Sequence, residues 1–224
     1  MRRGLFIAAA ATALASVAIG TAQAATVSHY YYGVTFDAAP GERNTVTWTA
    51  DSFFPLDVIG SSGPADIVIS DATAKVTAGL GCKQLGPRAV LCEDAQGFIT
   101  LGDGDDSFEP LSSNDYGDRY RGDEFSVNGG PGNDRLSSTG LGEGAASLYG
   151  GDGNDVLITG GFALTDGGAG NDKIVLESGY SNDPSFGSAL TCGPGIDTVI
   201  APKGDPLPAD CEKQILLPRA LGGH

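Results

Sequence analysis

The chain has 224 residues, 35 of them glycine, and its 28 acidic against 13 basic side chains give a formal net charge of −15. Such a surface repels nucleic acid and anionic membranes, and crowded carboxylates oppose compaction unless something neutralises them. About 200 residues after a leader suit either one domain with a sizeable core or a solenoid with a short cap, and glycine well above its usual ~7% share favours the solenoid.

Residues 1–24 read as an address. Arg2 and Arg3 precede an uncharged, alanine-rich run over 5–19, Gly20-Thr21 interrupts it, and Ala22-Gln23-Ala24 offers small residues to a signal peptidase. The run is shorter than the ~20 residues a spanning helix needs, so the expectation is a cleaved signal peptide and a secreted, extracellular protein. No later stretch is long and apolar enough to span a bilayer, and 216–224 fits neither a sorting nor a lipid-attachment signal.

Residues 25–100 alternate apolar and polar side chains over 30–36, 45–49, 67–70, 74–77, 89–92 and 98–101, with Gly, Pro and Asp between. That pattern predicts a β-rich N-terminal cap, which a solenoid needs to cover an apolar end and an unpaired edge. Cys82, Cys92, Cys192 and Cys211 are an even set in an exported chain, so two disulfides are expected. Of three pairings, Cys82–Cys92 and Cys192–Cys211 close short local loops without crossing the region between. Zinc is disfavoured, since the spacing is not CxxC-like and the only histidines are His29 and His224.

A short motif recurs over 101–199. Leu101-Gly102-Asp103-Gly104-Asp105-Asp106 precedes Phe108, Gly129-Gly130-Pro131-Gly132-Asn133-Asp134 precedes Leu136, and Gly150-Gly151-Asp152-Gly153-Asn154-Asp155 precedes Leu157. Gly167-Gly168-Ala169-Gly170-Asn171-Asp172 precedes Ile174, and a degenerate Cys192-Gly193-Pro194-Gly195-Ile196-Asp197 precedes Val199. The last aspartates are spaced by 28, 21, 17 and 25 residues. A disordered Gly/Asp linker would not put an apolar residue two places after every aspartate. Short strands are predicted between the motifs, at 135–138, 147–149, 156–159, 163–165 and 173–177. Residues 200–224 are left as a C-terminal cap and tail.

These motifs resemble the repeat-in-toxin (RTX, hemolysin-type) nonapeptide G-G-x-G-x-D-x-U-x, in which U is apolar, and three copies match every fixed position. Phe36 to Glu42, the two segments that carry Cys82 and Cys92, and the ending of Cys-Gly-Pro-Gly-x-Asp-Thr-Val followed by Asp210-Cys211-Glu212 are similar to secreted bacterial RTX-like proteins. The resemblance implies a right-handed parallel β-roll that binds calcium, here with metal turns along one edge and variable loops on the other. It implies carboxylate ligands at Asp106, Asp134, Asp155 and Asp172, with Asp197 on a weaker motif and Asp103 and Asp152 at a variable position. Backbone carbonyls would come from glycines such as Gly130, Gly132, Gly151, Gly153, Gly168 and Gly170, since calcium takes ~6 to 8 oxygens and one small turn cannot supply them. The expected function is a calcium-ordered structural or interaction scaffold rather than an enzyme, its partners calcium ions and an extracellular polysaccharide or cell-surface component.

The rival is a calcium-dependent, polysaccharide-active β-helix enzyme, a lyase, epimerase or glycosidase. Asp105-Asp106 suggests a carboxylate pair, and Tyr30, Tyr31, Tyr32 and Trp48 suggest a sugar platform. The candidate bases on the strands are only Arg135 and Lys173, and a place inside a metal turn favours ligation for the aspartates.

Overall fold

The computed structural model describes residues 24–30, 33–51, 66–93, 97–111, 125–139, 146–160, 163–177, 189–205 and 207–218. The expected leader, apart from Ala24, lies outside the described residues, as do Tyr31, Tyr32 and residues 219–224. The described residues form strands and turns and no helix, so none is long and apolar enough to cross a membrane.

The N-terminal part contributes β1 (Ala25–Tyr30), β2 (Gly33–Asp37), β3 (Thr45–Asp51), β4 (Asp66–Asp71), β5 (Val76–Ala78), β6 (Cys82–Gly86), β7 (Ala89–Glu93) and β8 (Gly97–Thr100). The motif region contributes β9 (Ser107–Leu111), β10 (Phe125–Pro131), β11 (Arg135–Ser137), β12 (Ala146–Asp152) and β13 (Val156–Thr159). It continues through β14 (Ala163–Ala169), β15 (Lys173–Leu176), β16 (Ala189–Thr191) and β17 (Thr198–Pro202), and β18 (Lys213–Leu217) ends the series.

The chain is all-β, in two open sheets. One runs β16-β14-β12-β10-β8-β2-β1-β5 and the other β18-β17-β15-β13-β11-β9-β3-β4-β7-β6. From β8 to β17 successive strands fall alternately in the two sheets, and within each sheet they pair in parallel. Each motif is the turn by which the chain passes from one sheet to the other.

The apolar residue after each aspartate explains this register. Leu136, Leu157, Ile174 and Val199 are directly paired neighbours across β11, β13, β15 and β17, and all are fully buried. Val127 and Leu148, paired across β10 and β12, are likewise fully buried. A one-residue slip would turn either column outward, so burial fixes the stacking.

The N-terminal strands extend the same sheets. β2 pairs in parallel with β8 and β3 with β9, while β1 with β2 and the β3-β4-β7-β6 series pair antiparallel. The single strand expected over 30–36 is therefore the end of one strand and most of the next, with Tyr30 opposite Gly33. At the junction the Trp48 and Phe125 rings meet edge to face, centroids 4.9 Å apart. A β-carbon on Gly97 would overlap the Phe125 ring, so glycine is what admits this contact.

Both disulfides form as expected from loop length. Cys82–Cys92 joins a directly opposed pair on β6 and β7, and Cys192–Cys211 ties the last motif to the segment before β18. Disulfides are compatible with an extracellular protein.

Candidate functional site: an acidic ladder between stacked turns

Stacking the turns in register leaves no room for side chains where one backbone rests on the next. A β-carbon on Gly151 would fall on the Gly130 carbonyl oxygen, and one on Gly153 on that of Gly132. Both also hold positive φ, 110° and 145°, where L side chains are strained. In motifs 129–134, 150–155 and 167–172 the second and third glycines are thus explained by close approach as well as by the turn. The Gly132, Gly153 and Gly170 amides donate to the Asp152, Ala169 and Pro194 carbonyls one turn further on.

The last aspartate of every motif points inward. Asp106, Asp134, Asp155, Asp172 and Asp197 are at most 3% exposed. The Oδ1 atom of Asp134 accepts from the Asp106 amide, that of Asp155 from Asp134, of Asp172 from Asp155, and of Asp197 from Asp172, each at 2.8 Å. The sequence left Asp197 in doubt, yet it occupies the same rung as the others. A second ladder runs in the opposite sense on the surface. The Oδ1 atoms of Asp105, Asn133, Asn154 and Asn171 accept from the amides of Asn133, Asn154, Asn171 and Ile196, one turn further on. Asp105 is therefore exposed while Asp106 is buried, and the two carboxylates bond to opposite neighbouring turns. Asp103 and Asp152 are exposed, and Asp103 accepts from the Gly41 amide at 2.7 Å.

The second oxygen of each buried aspartate, Oδ2, has no hydrogen-bond partner in any of the five. A β-carbon on Gly129 would meet both Asp134 Oδ2 and the Gly150 carbonyl oxygen of the following turn. The same holds at Gly150 for Asp155 Oδ2 and the Gly167 carbonyl, and at Gly167 for Asp172 Oδ2 and the Cys192 carbonyl. At each of these steps an unpartnered carboxylate oxygen and a carbonyl oxygen of the next turn close on the same point.

One rung is built differently. Asn44 precedes the first motif, its amide donates to Asp106 Oδ1 at 2.6 Å, and its Nδ2 donates to the Leu101 carbonyl at 3.1 Å. An amide here supplies the donor that the aspartate rungs lack. Two acidic residues outside the motifs also join the stack. Asp71 accepts the Thr45, Thr73 and Ala74 amides on Oδ1, and Glu212 accepts the Asp197 amide at 2.9 Å. Only the Asp-Cys-Glu ending hinted at Glu212, and nothing in the local sequence marked Asn44 or Asp71.

Burial sets the electrostatics. It raises the Asp134 carboxyl to about 7 against the opposing hydrogen bond from the Asp106 amide, with Asp155, Asp106 and Asp105 adding to the rise. Burial likewise raises Asp106 and Asp172 to about 6 and pushes Asp155 and Asp197 upward. Each step can thus take up a proton or a cation. Among the described residues no three His, Cys, Asp or Glu side chains gather round one point, so a cation in the ladder would rely on main-chain oxygens for most of its ligands. Comparison of the chain with protein-family models, curated proteins and solved structures finds no match in any of the three.

Proposed function

We propose that this is an extracellular calcium-binding protein of the RTX-like kind, in which a parallel β-roll is ordered by calcium ions held between successive turns and serves as a structural or interaction scaffold. The observation that carries the reading is the convergence of a buried, unpartnered carboxylate oxygen with a carbonyl oxygen at successive steps. Two facing acceptors in a dry site repel unless a proton or cation lies between them, and an unpartnered buried polar atom costs about 1–3 kcal/mol.

The donor set fits calcium, a hard cation that takes carboxylate and carbonyl oxygens and tolerates irregular geometry. Asp106, Asp134, Asp155, Asp172 and Asp197 would supply the charge. The Gly150, Gly167 and Cys192 carbonyls would supply neutral oxygens, and further main-chain carbonyls and water the remainder. The Asn44 rung supports the reading by contrast, because an amide there meets the carbonyl that a cation would otherwise meet. When bound, calcium would neutralise the ladder and so join binding energy to folding energy.

Against the enzyme alternative, the Asp105 and Asp106 carboxylates belong to different ladders, one exposed and one buried. The testing experiment is calcium calorimetry on the chelated full chain, expressed where its disulfides form, with β-sheet circular dichroism followed in parallel. Saturable binding of several ions with a gain of sheet signal or melting temperature is expected. A chain that is equally folded and binds nothing would replace this reading with an inert β-solenoid.

A further inference from the structure

The stack has one more turn than the motif reveals. β18 pairs in parallel with β17, Thr198 opposite Lys213, and the Lys213 amide donates to the Asp197 carbonyl at 2.9 Å. The Thr198 amide makes the equivalent bond to Asp172, and the Lys173 amide to Asp155, both at 2.8 Å. Residues 207–212 therefore occupy the place of a sixth turn without its glycines. Glu212 stands where each motif has its last aspartate, and its Oε2 accepts the Asp197 amide as the ladder aspartates accept theirs.

Two devices hold this turn in place. Asp210 Oδ2 accepts the Cys192 amide at 3.0 Å, and the Cys192–Cys211 disulfide crosses the same interface. Asp197, on the fifth turn, is fully buried with its Oδ2 unpartnered, and Glu212 on the sixth is exposed. The two ends of the ladder thus differ in chemistry. The first rung ends on a neutral amide that donates to the next turn, whereas the last ends on a second carboxylate, longer by one methylene.

We infer that Asp197 and Glu212 form a terminal cation site, closed by the sixth turn and locked by the Cys192–Cys211 disulfide, which takes a calcium ion that the motif count alone would not include. The inference rests on the calcium reading above. Asp197 brings a dry carboxylate oxygen and Glu212 a second negative charge on the following turn, the two ingredients that the Asn44 rung lacks. The disulfide gives the site a redox dependence that the inner steps do not share, because only this turn is tied to the stack through sulfur.

The test counts ions by native mass spectrometry and calcium calorimetry on the oxidised full chain and on Glu212→Gln. Glutamine can still accept the Asp197 amide, so the turn should stay folded, and hydrogen exchange at Asp197 reports whether it does. The expected result is one ion fewer in Glu212→Gln than in wild type, with the other sites unchanged. Wild type treated with a reductant should lose the same ion. As a second variant, Glu212→Asp keeps the charge with a shorter reach and should bind the terminal ion at least 10-fold more weakly, an order-of-magnitude expectation for a misplaced ligand oxygen. Equal counts and affinities in wild type and Glu212→Gln would overturn this inference while leaving the inner sites standing. A wild-type chain that binds no calcium would overturn it together with the reading on which it rests.

Discussion

At the scale of single residues, the decisive feature is a carboxylate with one oxygen satisfied and the other not. Asp155 shows what each oxygen does, since Oδ1 accepts the Asp134 amide and Oδ2 faces the Gly167 carbonyl. Asp155→Ala removes both and leaves the Asp134 amide buried without an acceptor, so it should weaken the steps on either side and destabilise the metal-loaded protein by about 1–3 kcal/mol. Asp155→Asn should behave otherwise. Its oxygen can still accept the Asp134 amide and its Nδ2 can donate to the Gly167 carbonyl, reproducing the Asn44 rung. The asparagine variant should therefore bind less calcium yet, with chelator present at pH 8, melt at a higher temperature than wild type. A scan of the three proteins with and without chelator checks the order, and an asparagine variant as unstable as the alanine one would remove the acceptor–acceptor argument.

The same oxygens set a pH dependence. Asp134 rises to about 7 and Asp106 and Asp172 to about 6, from an ordinary value of 3.8. Between those values the metal-free folded chain holds more protons than the unfolded chain, so its stability falls as pH rises. The stability is fully present below the ordinary carboxylate value and is lost through pH 6 to 7. Metal-free protein should thus unfold at higher denaturant near pH 5 than at pH 8. On the proposed calcium reading the ion competes with the same protons, so its stabilising effect should grow across that interval. Denaturant midpoints at both pH values, with and without chelator, test the sign. A metal-free chain more stable at pH 8 would show that the carboxylates are not desolvated as described.

At the scale of elements, the turn–strand unit is held by glycine on one side and by the buried apolar column on the other. Gly153→Ala would press a methyl group onto the Gly132 carbonyl at a positive φ. Backbone strain of about 1–2 kcal/mol would add to overpacking of about 1–3 kcal/mol. Leu157→Ala instead empties a fully buried position between Leu136 and Ile174 and should cost about 2–5 kcal/mol. Calcium titration separates the two variants. Gly153→Ala should lower affinity at the adjoining steps, while Leu157→Ala should lower stability with a smaller change in affinity at saturating metal.

The glycines and the apolar columns were legible in the sequence because both are local signals repeated at nearly fixed offsets. The order of β11, β13, β15 and β17, and the inward aspartates between them, follow from that repetition. The strands at 25–30, 82–86, 107–111, 125–131, 189–191, 198–202 and 213–217 were missed, and the first hairpin was merged into one strand. In the first hairpin and between β6 and β7 the pairing is antiparallel, and the partner, not the local pattern, decides where a strand begins. Asn44 and Asp71 were invisible, and Glu212 was hinted at only by the Asp-Cys-Glu ending, for a related reason. Each takes its place through a contact made by chain folding, Asp71 from the end of β4, 26 residues from Thr45, and Glu212 from a turn with no glycine pair.

At the scale of the whole molecule, two forces oppose one another along the stack. Register brings five buried carboxylates into a single line, and the net charge of −15 adds to their repulsion. The apolar columns, the two disulfides and the junction of Trp48 with Phe125 hold the stack against it. These restraints are unevenly placed. The Cys82–Cys92 bridge and the antiparallel β3-β4-β7-β6 strands lie at the N-terminal end of the stack, whereas residues 129–172 have no covalent tie. Removal of calcium should therefore act locally. In hydrogen-exchange mass spectrometry with chelator, amides over 129–177 should lose protection first and most, those of β3, β4 and β7 should keep theirs, and the 192–213 segment should lie between because its disulfide limits fraying. Monovalent salt at high concentration should restore part of the protection by screening the carboxylates, without the site-specific gain that calcium gives. A uniform loss of protection along the whole chain would show that cap and ladder fold as one unit. Unchanged protection over 129–177 would show that the apolar columns alone suffice and that the ladder carries no metal-dependent stability.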